Sequence, residues 1–139
     1  MEEEFDVIWY SDEFFYWVAA GCPVNTTVTS LWLRESNIVD TGSYRFENLP
    51  NITVLDLSYN KMTSLPESIS KLQSLKKLVV VNNCIENLPL WIGDITSLEW
   101  LDINGNYISN IPDEICNLRN LSYLDASNNS IESIPEAIG

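Results

Sequence analysis

The chain has 139 residues, the length of one domain, with a formal net charge of −13 and no histidine. Such acidity repels phosphate backbones and anionic lipid surfaces, which argues against nucleic-acid and membrane binding. Without imidazole there is no histidine-based acid–base catalysis or histidine metal site.

Residues 1–27 read as an N-terminal capping segment. Their start, Met1-Glu2-Glu3-Glu4-Phe5-Asp6, is acidic where a signal peptide is basic, and the apolar run from Phe14 to Gly21 is far shorter than the roughly 20 residues of a membrane span. Ser11 suits an N-cap, Asp12 and Glu13 a first helical turn, and Gly21 with Pro23 a helix end. Two readings of the segment stand side by side. Either a short helix plugs the open end of the repeats with its aromatic residues, or the acidic and aromatic stretch Glu2–Trp17 is a linear motif that docks on a partner.

Residues 28–139 are organised by a repeat. Leu65-Pro66, Leu88-Pro89, Ile111-Pro112 and Ile134-Pro135 follow one another at intervals of 23 residues. Counting each start as zero, offset four holds Ile69, Ile92, Ile115 and Ile138, and offset seven holds Leu72, Ile95 and Leu118. Offsets ten, thirteen and fifteen hold Leu75, Leu78 and Val80, then Leu98, Leu101 and Ile103, then Leu121, Leu124 and Ala126. Offset eighteen is asparagine and offset twenty isoleucine in each of these units. An earlier unit starts at Gly42 without Leu-Pro. A degenerate one near residue 18 fits if it is one residue longer, with Ser36 in the asparagine slot. An incomplete unit begins at 134.

The Leu-x-Leu stretch has period two and reads as a short strand, while offsets four and seven share one face of a short helix or 3₁₀ coil. Proline at offset one suits the first helical position, which needs no N–H. Strands recurring in the same sense must pair in parallel, and each unit needs its neighbours to bury its apolar face. Asparagine at offset eighteen ends the strand, so Asn60, Asn83, Asn106 and Asn129 are expected as a buried column satisfying turn backbone groups.

The pattern L-x-x-L-x-L-x-x-N at this period resembles the leucine-rich-repeat superfamily. Its Leu-Pro form, as in LPESISKLQSLKKLVVVNNCIEN, resembles the intracellular subtype found in Ras-suppressor and Scribble-type scaffolds. The resemblance covers residues 28–139. It implies an α/β solenoid with a curved parallel sheet on the concave face and short helices or 3₁₀ coils on the convex face. It also implies a non-enzymatic protein-binding module, a scaffold or adaptor in signalling, as relatives hold small GTPases, phosphatases or polarity proteins.

At the C-terminus, Ile134-Pro135-Glu136-Ala137-Ile138-Gly139 opens a unit that stops after six residues, leaving the preceding strand as an edge. The readings are a piece of a longer solenoid, a short protein, or a dimer paired edge to edge; otherwise the chain is a monomer. A piece of a larger multidomain protein or enzyme, acting as its regulatory or targeting segment, is the alternative to a free-standing adaptor.

Function is expected on the concave face. Its candidate contacts are Trp32, Arg34, Asp56, Tyr59, Lys77, Val79, Val81, Trp100, Asp102, Asn104, Tyr123 and Asp125. The aromatic and valine residues sit where the repeat does not demand apolar groups, beside an acidic row of Asp56, Asp102 and Asp125. That mixture suits a protein partner with a basic and apolar surface. Trp91 is a second candidate on the convex side.

Neither a catalytic motif nor a cofactor or metal site is legible. The aspartates form a strand-to-strand ladder rather than a calcium loop, and phosphate-binding and nucleophile motifs are missing. Four glycosylation-type sequons, at Asn25, Asn51, Asn120 and Asn128, read as chance matches. Cys22, Cys84 and Cys116 are an odd number at wide spacing, so at least one thiol stays free. This favours a reducing compartment, the cytoplasm. Cys84 and Cys116 fall where small apolar residues are expected to pack.

Overall fold

The computed structural model describes residues 6–40 and 42–136. Thus Glu2–Phe5 of the acidic start and Ala137–Gly139 of the incomplete unit, with its offset-four Ile138, lie outside the described residues.

Six strands form one parallel sheet in chain order: β1 (Ile8–Trp9), β2 (Ser30–Trp32), β3 (Val54–Asp56), β4 (Lys77–Val79), β5 (Trp100–Asp102) and β6 (Tyr123–Asp125). The register aligns Leu31, Leu55, Leu78, Leu101 and Leu124 in one column. Alternation places these leucines inward and turns their neighbours to the open face of the sheet. The first step, Leu31 to Leu55, absorbs the extra residue of the degenerate unit.

On the other side run 3₁₀ helices at Phe46–Asn48, Glu67–Lys71, Leu90–Asp94 and Asp113–Asn117. Ile69, Ile92 and Ile115 point from them into the core, joined by Leu72, Ile95 and Leu118. The prolines stand one position earlier than expected. Pro66, Pro89 and Pro112 are the extended residues just before each helix, with φ near −70°. Their carbonyls accept the N–H of Ile69, Ile92 and Ile115 at 3.0–3.1 Å. A 3₁₀ helix closes from residue i to i+3, so its first acceptor belongs to the residue before the helix.

The asparagines tie each turn to the one before. Asn83 Nδ2 donates to Leu57 O, Asn106 Nδ2 to Val80 O and Asn129 Nδ2 to Ile103 O, each at 2.9 Å. Their Oδ1 atoms accept from Met62, Ile85 and Ile108 N–H. Asn60 spans the same gap, donating to Leu33 O and accepting from Ser36 and Ile38 N–H. Asn60, Asn83 and Asn106 are buried. Asn129 is only half-buried, against expectation, because among the described residues no further unit stacks over its outer side.

The N-terminal segment joins the solenoid through β1 and the helix α1 (Ser11–Ala19). β1 has no alternating pattern to announce it, yet it extends the sheet by pairing with β2. Ser11 is the first helical residue rather than the N-cap. The capping carboxylate is Glu13, whose Oε2 accepts the Tyr10 N–H at 3.2 Å, while the Ser11 hydroxyl meets that of Ser36. The helix ends as its sequence suggests: Gly21 adopts φ +89° and donates its N–H to Val18 O. Phe14 is buried and stacks on Phe46 with ring centroids 5.8 Å apart, and Tyr44 meets it edge-on at 5.1 Å. These aromatics continue the leucine core into the helix. The docking-motif alternative loses Phe14 and Trp17, which are buried, while Tyr10 and Tyr16 are exposed.

The cysteines also depart from expectation. Cys84 and Cys116 are exposed and Cys22 is the buried one; all three are free thiols. Cys84 lies between Asn83 and Ile85, which take the inward positions, so its own side chain turns out. Trp91 is half-buried and packs against the core on the convex side. No described helix is long and apolar enough to cross a membrane.

Candidate functional site

The open face of the sheet is built by the residues that alternate with the buried leucines. The register sets Val54, Lys77, Trp100 and Tyr123 in one row and Trp32, Asp56, Val79, Asp102 and Asp125 in the next. A third row follows where the strands end, with Arg34, Ser58, Val81 and Asn104. A depression of about 200 Å³ opens between Trp32, Arg34, Asp56, Lys77, Trp100 and Asp102.

Two ring arrangements organise this face. Trp100 and Tyr123 are stacked, with centroids 3.7 Å apart and planes at 11°. Lys77 Nζ sits 4.8 Å from the Trp100 centroid, a cation–π contact. Farther toward the N-terminus, the Arg34 guanidinium lies 5.0 Å over the Tyr59 ring, and its Nε is 3.8 Å from Asp56 Oδ2.

The acidic row is broken rather than continuous. Val79 separates Asp56 from Asp102. Asp56 is buried, engages Arg34 and accepts the Ser58 N–H, so it is a structural carboxylate and not a free contact. Asp102 and Asp125 remain as half-buried neighbours. Burial pushes the Asp102 carboxyl up, opposed by the Asn104 N–H and reinforced by the charges of Asp125 and Asp56. Asp125 is held below the usual carboxylate range, chiefly by the Ser127 hydroxyl and then by the Ser127 N–H. Desolvation and these carboxylates raise the Tyr123 phenol. Asn104 bridges the last two units through Ser127 Oγ at 2.8 Å, and Val81 donates its N–H to buried Ser58 Oγ at 3.1 Å.

Tyr59 stands off the strands in a turn. It belongs to a column of left-handed residues, Glu35, Tyr59, Asn82, Gly105 and Asn128, with φ between +52° and +75°. Asn82, Gly105 and Asn128 carry this signal in the sequence, since Asn and Gly tolerate that region. At Gly105 a β-carbon would collide with the Asn82 side chain. Among the described residues no three His, Cys, Asp or Glu side chains gather into a metal-binding group.

Residues 26–85 match the family described as leucine rich repeat, and residues 96–138 its two-copy form. A disease resistance protein of Arabidopsis thaliana is 37% identical over 59 residues, which is 42% of this chain and 7% of that protein. The chain therefore spans less than a tenth of the length of the curated relatives it matches. Among solved structures, a leucine-rich-repeat protein of Leptospira interrogans superposes with a TM-score of 0.76 at 29% identity, over 81% of this chain and 28% of that one. A plant peptide hormone receptor, solved in complex with its hormone, superposes with a TM-score of 0.65 at 31% identity, over 75% of this chain and 17% of the receptor. Domains of this architecture generally bind proteins and are generally not enzymes. By its asparagine-stapled parallel sheet and by these matches, the chain belongs to the leucine-rich-repeat superfamily.

Proposed function

We propose that the open sheet face is a concave docking surface for a protein partner carrying basic and apolar groups, in a non-enzymatic module that works as a scaffold or adaptor in signalling. The observation that carries this reading is the Trp100–Tyr123 stack beside Asp102 and Asp125, carboxylates with no salt-bridge partner among the described residues. A rigid aromatic platform next to two carboxylates suits an apolar contact flanked by a cation. The receptor superposed above was solved with a peptide hormone bound, which fits a repeat surface that takes polypeptide ligands. The exposed, free Cys84 and Cys116 favour a reducing compartment such as the cytoplasm.

A second reading has its own support. The disease-resistance relatives are far longer than the matched region, which favours a regulatory or targeting segment within a larger protein. The two readings share the docking face. The test is partner binding by Trp100→Ala and Asp102→Lys variants, measured by calorimetry on a partner isolated with the wild-type domain. Weakened binding by folded variants upholds the docking face, and unchanged binding by both removes it.

A further inference from the structure

An apolar cavity lies away from the open face, on the N-terminal segment. It holds about 610 Å³ between Trp9, Asp12, Glu13, Tyr16, Trp17 and Pro23. Trp9 from β1 and Trp17 from α1 form its walls, with ring centroids 6.2 Å apart and planes at 52°. Trp17 is fixed by its Nε1–H, which donates to Pro23 O at 2.7 Å. Tyr16 stands at the lip, 81% exposed, where the packing of the helix does not call for an aromatic ring.

The charge around this cavity is one-sided. Asp12 and Glu13 are its charged lining residues, and no Lys or Arg precedes Arg34 in the sequence. Among the described residues, Asp12 and Glu13 have no basic partner; Glu13 uses one oxygen on the Tyr10 N–H. Indole faces and uncompensated carboxylates at one opening attract the same kind of group, a cation with a flat or apolar body.

We infer that this cavity is a second binding site, which takes an arginine side chain of a protein partner between Trp9 and Tyr16, with its guanidinium against Asp12 and Glu13. Arginine fits better than lysine. Its planar head stacks on an indole face and still presents an N–H fork to a carboxylate, whereas a strongly hydrated ammonium does not stack. The site is independent of the open face and does not rest on it.

The test uses N-acetyl-arginine amide as the probe, followed by the five indole N–H resonances of the full chain. Saturable shifts are expected at Trp9 and Trp17 but not at Trp32 and Trp100, with a Kd of about 1 mM, as befits so small a ligand. The neutral citrulline analogue should bind about tenfold more weakly, and Tyr16→Ala or the pair Asp12→Asn with Glu13→Gln should weaken the arginine probe about fivefold or more. Equal binding of citrulline, shifts confined to Trp32 and Trp100, or no shift at about 20 mM probe overturns the site. Equal binding of N-acetyl-lysine amide overturns the choice of arginine. Because Trp32 and Trp100 report the open face separately, failure here is distinguishable from failure of the docking surface.

Discussion

The side-chain amide of Asn106 donates to the carbonyl of Val80, 26 residues earlier, at 2.9 Å. Its Oδ1 accepts the Ile85 N–H of that same preceding turn, and its amide also donates to the Ile103 carbonyl of its own turn at 2.9 Å, so one side chain satisfies backbone groups of two successive turns in a site that water does not reach. Asn106→Ala leaves those groups unpaired. The variant should lose about 1–3 kcal/mol in urea unfolding. Asn129 makes equivalent bonds but is half-buried, so Asn129→Ala should cost less, because water can take over part of the role. Equal losses would contradict the burial argument.

Phe14 couples the N-terminal helix to the repeats through its stack on Phe46. Phe14→Ala opens a cavity in this aromatic cluster and should cost about 3–5 kcal/mol. Tyr16→Ala, two residues along the same helix but exposed, should stay within about 0.5 kcal/mol of wild type. Thermal melts of the two variants separate a structural cap from a loosely attached tail.

Gly93 lies against the neighbouring 3₁₀ helix, Asp113–Asn117. A β-carbon there would sit 2.6 Å from the Glu114 carbonyl oxygen. Because that neighbour is backbone, it cannot swing aside, and Gly93→Ala should destabilise by about 1–3 kcal/mol. Chemical denaturation checks this; a stabilised variant would mean that the helices have room to part.

The paired aspartates should titrate in opposite directions. Asp102 is raised by burial and Asp125 lowered by the Ser127 hydrogen bonds. Carboxyl-carbon NMR titration should therefore show Asp102 protonating at the higher pH. The signs follow by linkage. Asp125 adds stability above its unfolded-state value, lost as pH falls through its lower folded value. Asp102 ionises at a cost to folding, relieved as pH falls through its raised value. Asp125→Asn should thus destabilise at neutral pH, and Asp102→Asn should be neutral or mildly stabilising.

Much of the fold was legible because a solenoid writes the same requirement at every turn. The leucine column, the isoleucines of the 3₁₀ helices and the asparagines at Asn60, Asn83 and Asn106 each answer one buried position per unit. Features that occur once escaped. β1 has only two residues and no alternation, so only its neighbour β2 defines it as a strand. The exposure of Cys84 and Cys116 depends on which way one side chain turns beside fixed neighbours. In the candidate site, the rows of open-face residues follow from strand alternation. The division of labour among the aspartates does not. Arg34, just after β2 in the degenerate first unit, reaches Asp56 on the adjacent strand β3, and this converts one carboxylate of three into a structural group.

On the proposed docking face, the Trp100–Tyr123 stack beside Asp102 and Asp125 is expected to carry partner binding. Calorimetric titration of the isolated partner against wild type and Trp100→Ala tests it most directly, with melting temperatures recorded alongside. A loss of at least about tenfold in affinity with an unchanged melting temperature is predicted, the size expected of an aromatic interface anchor. Equal affinity for the two proteins would contradict it.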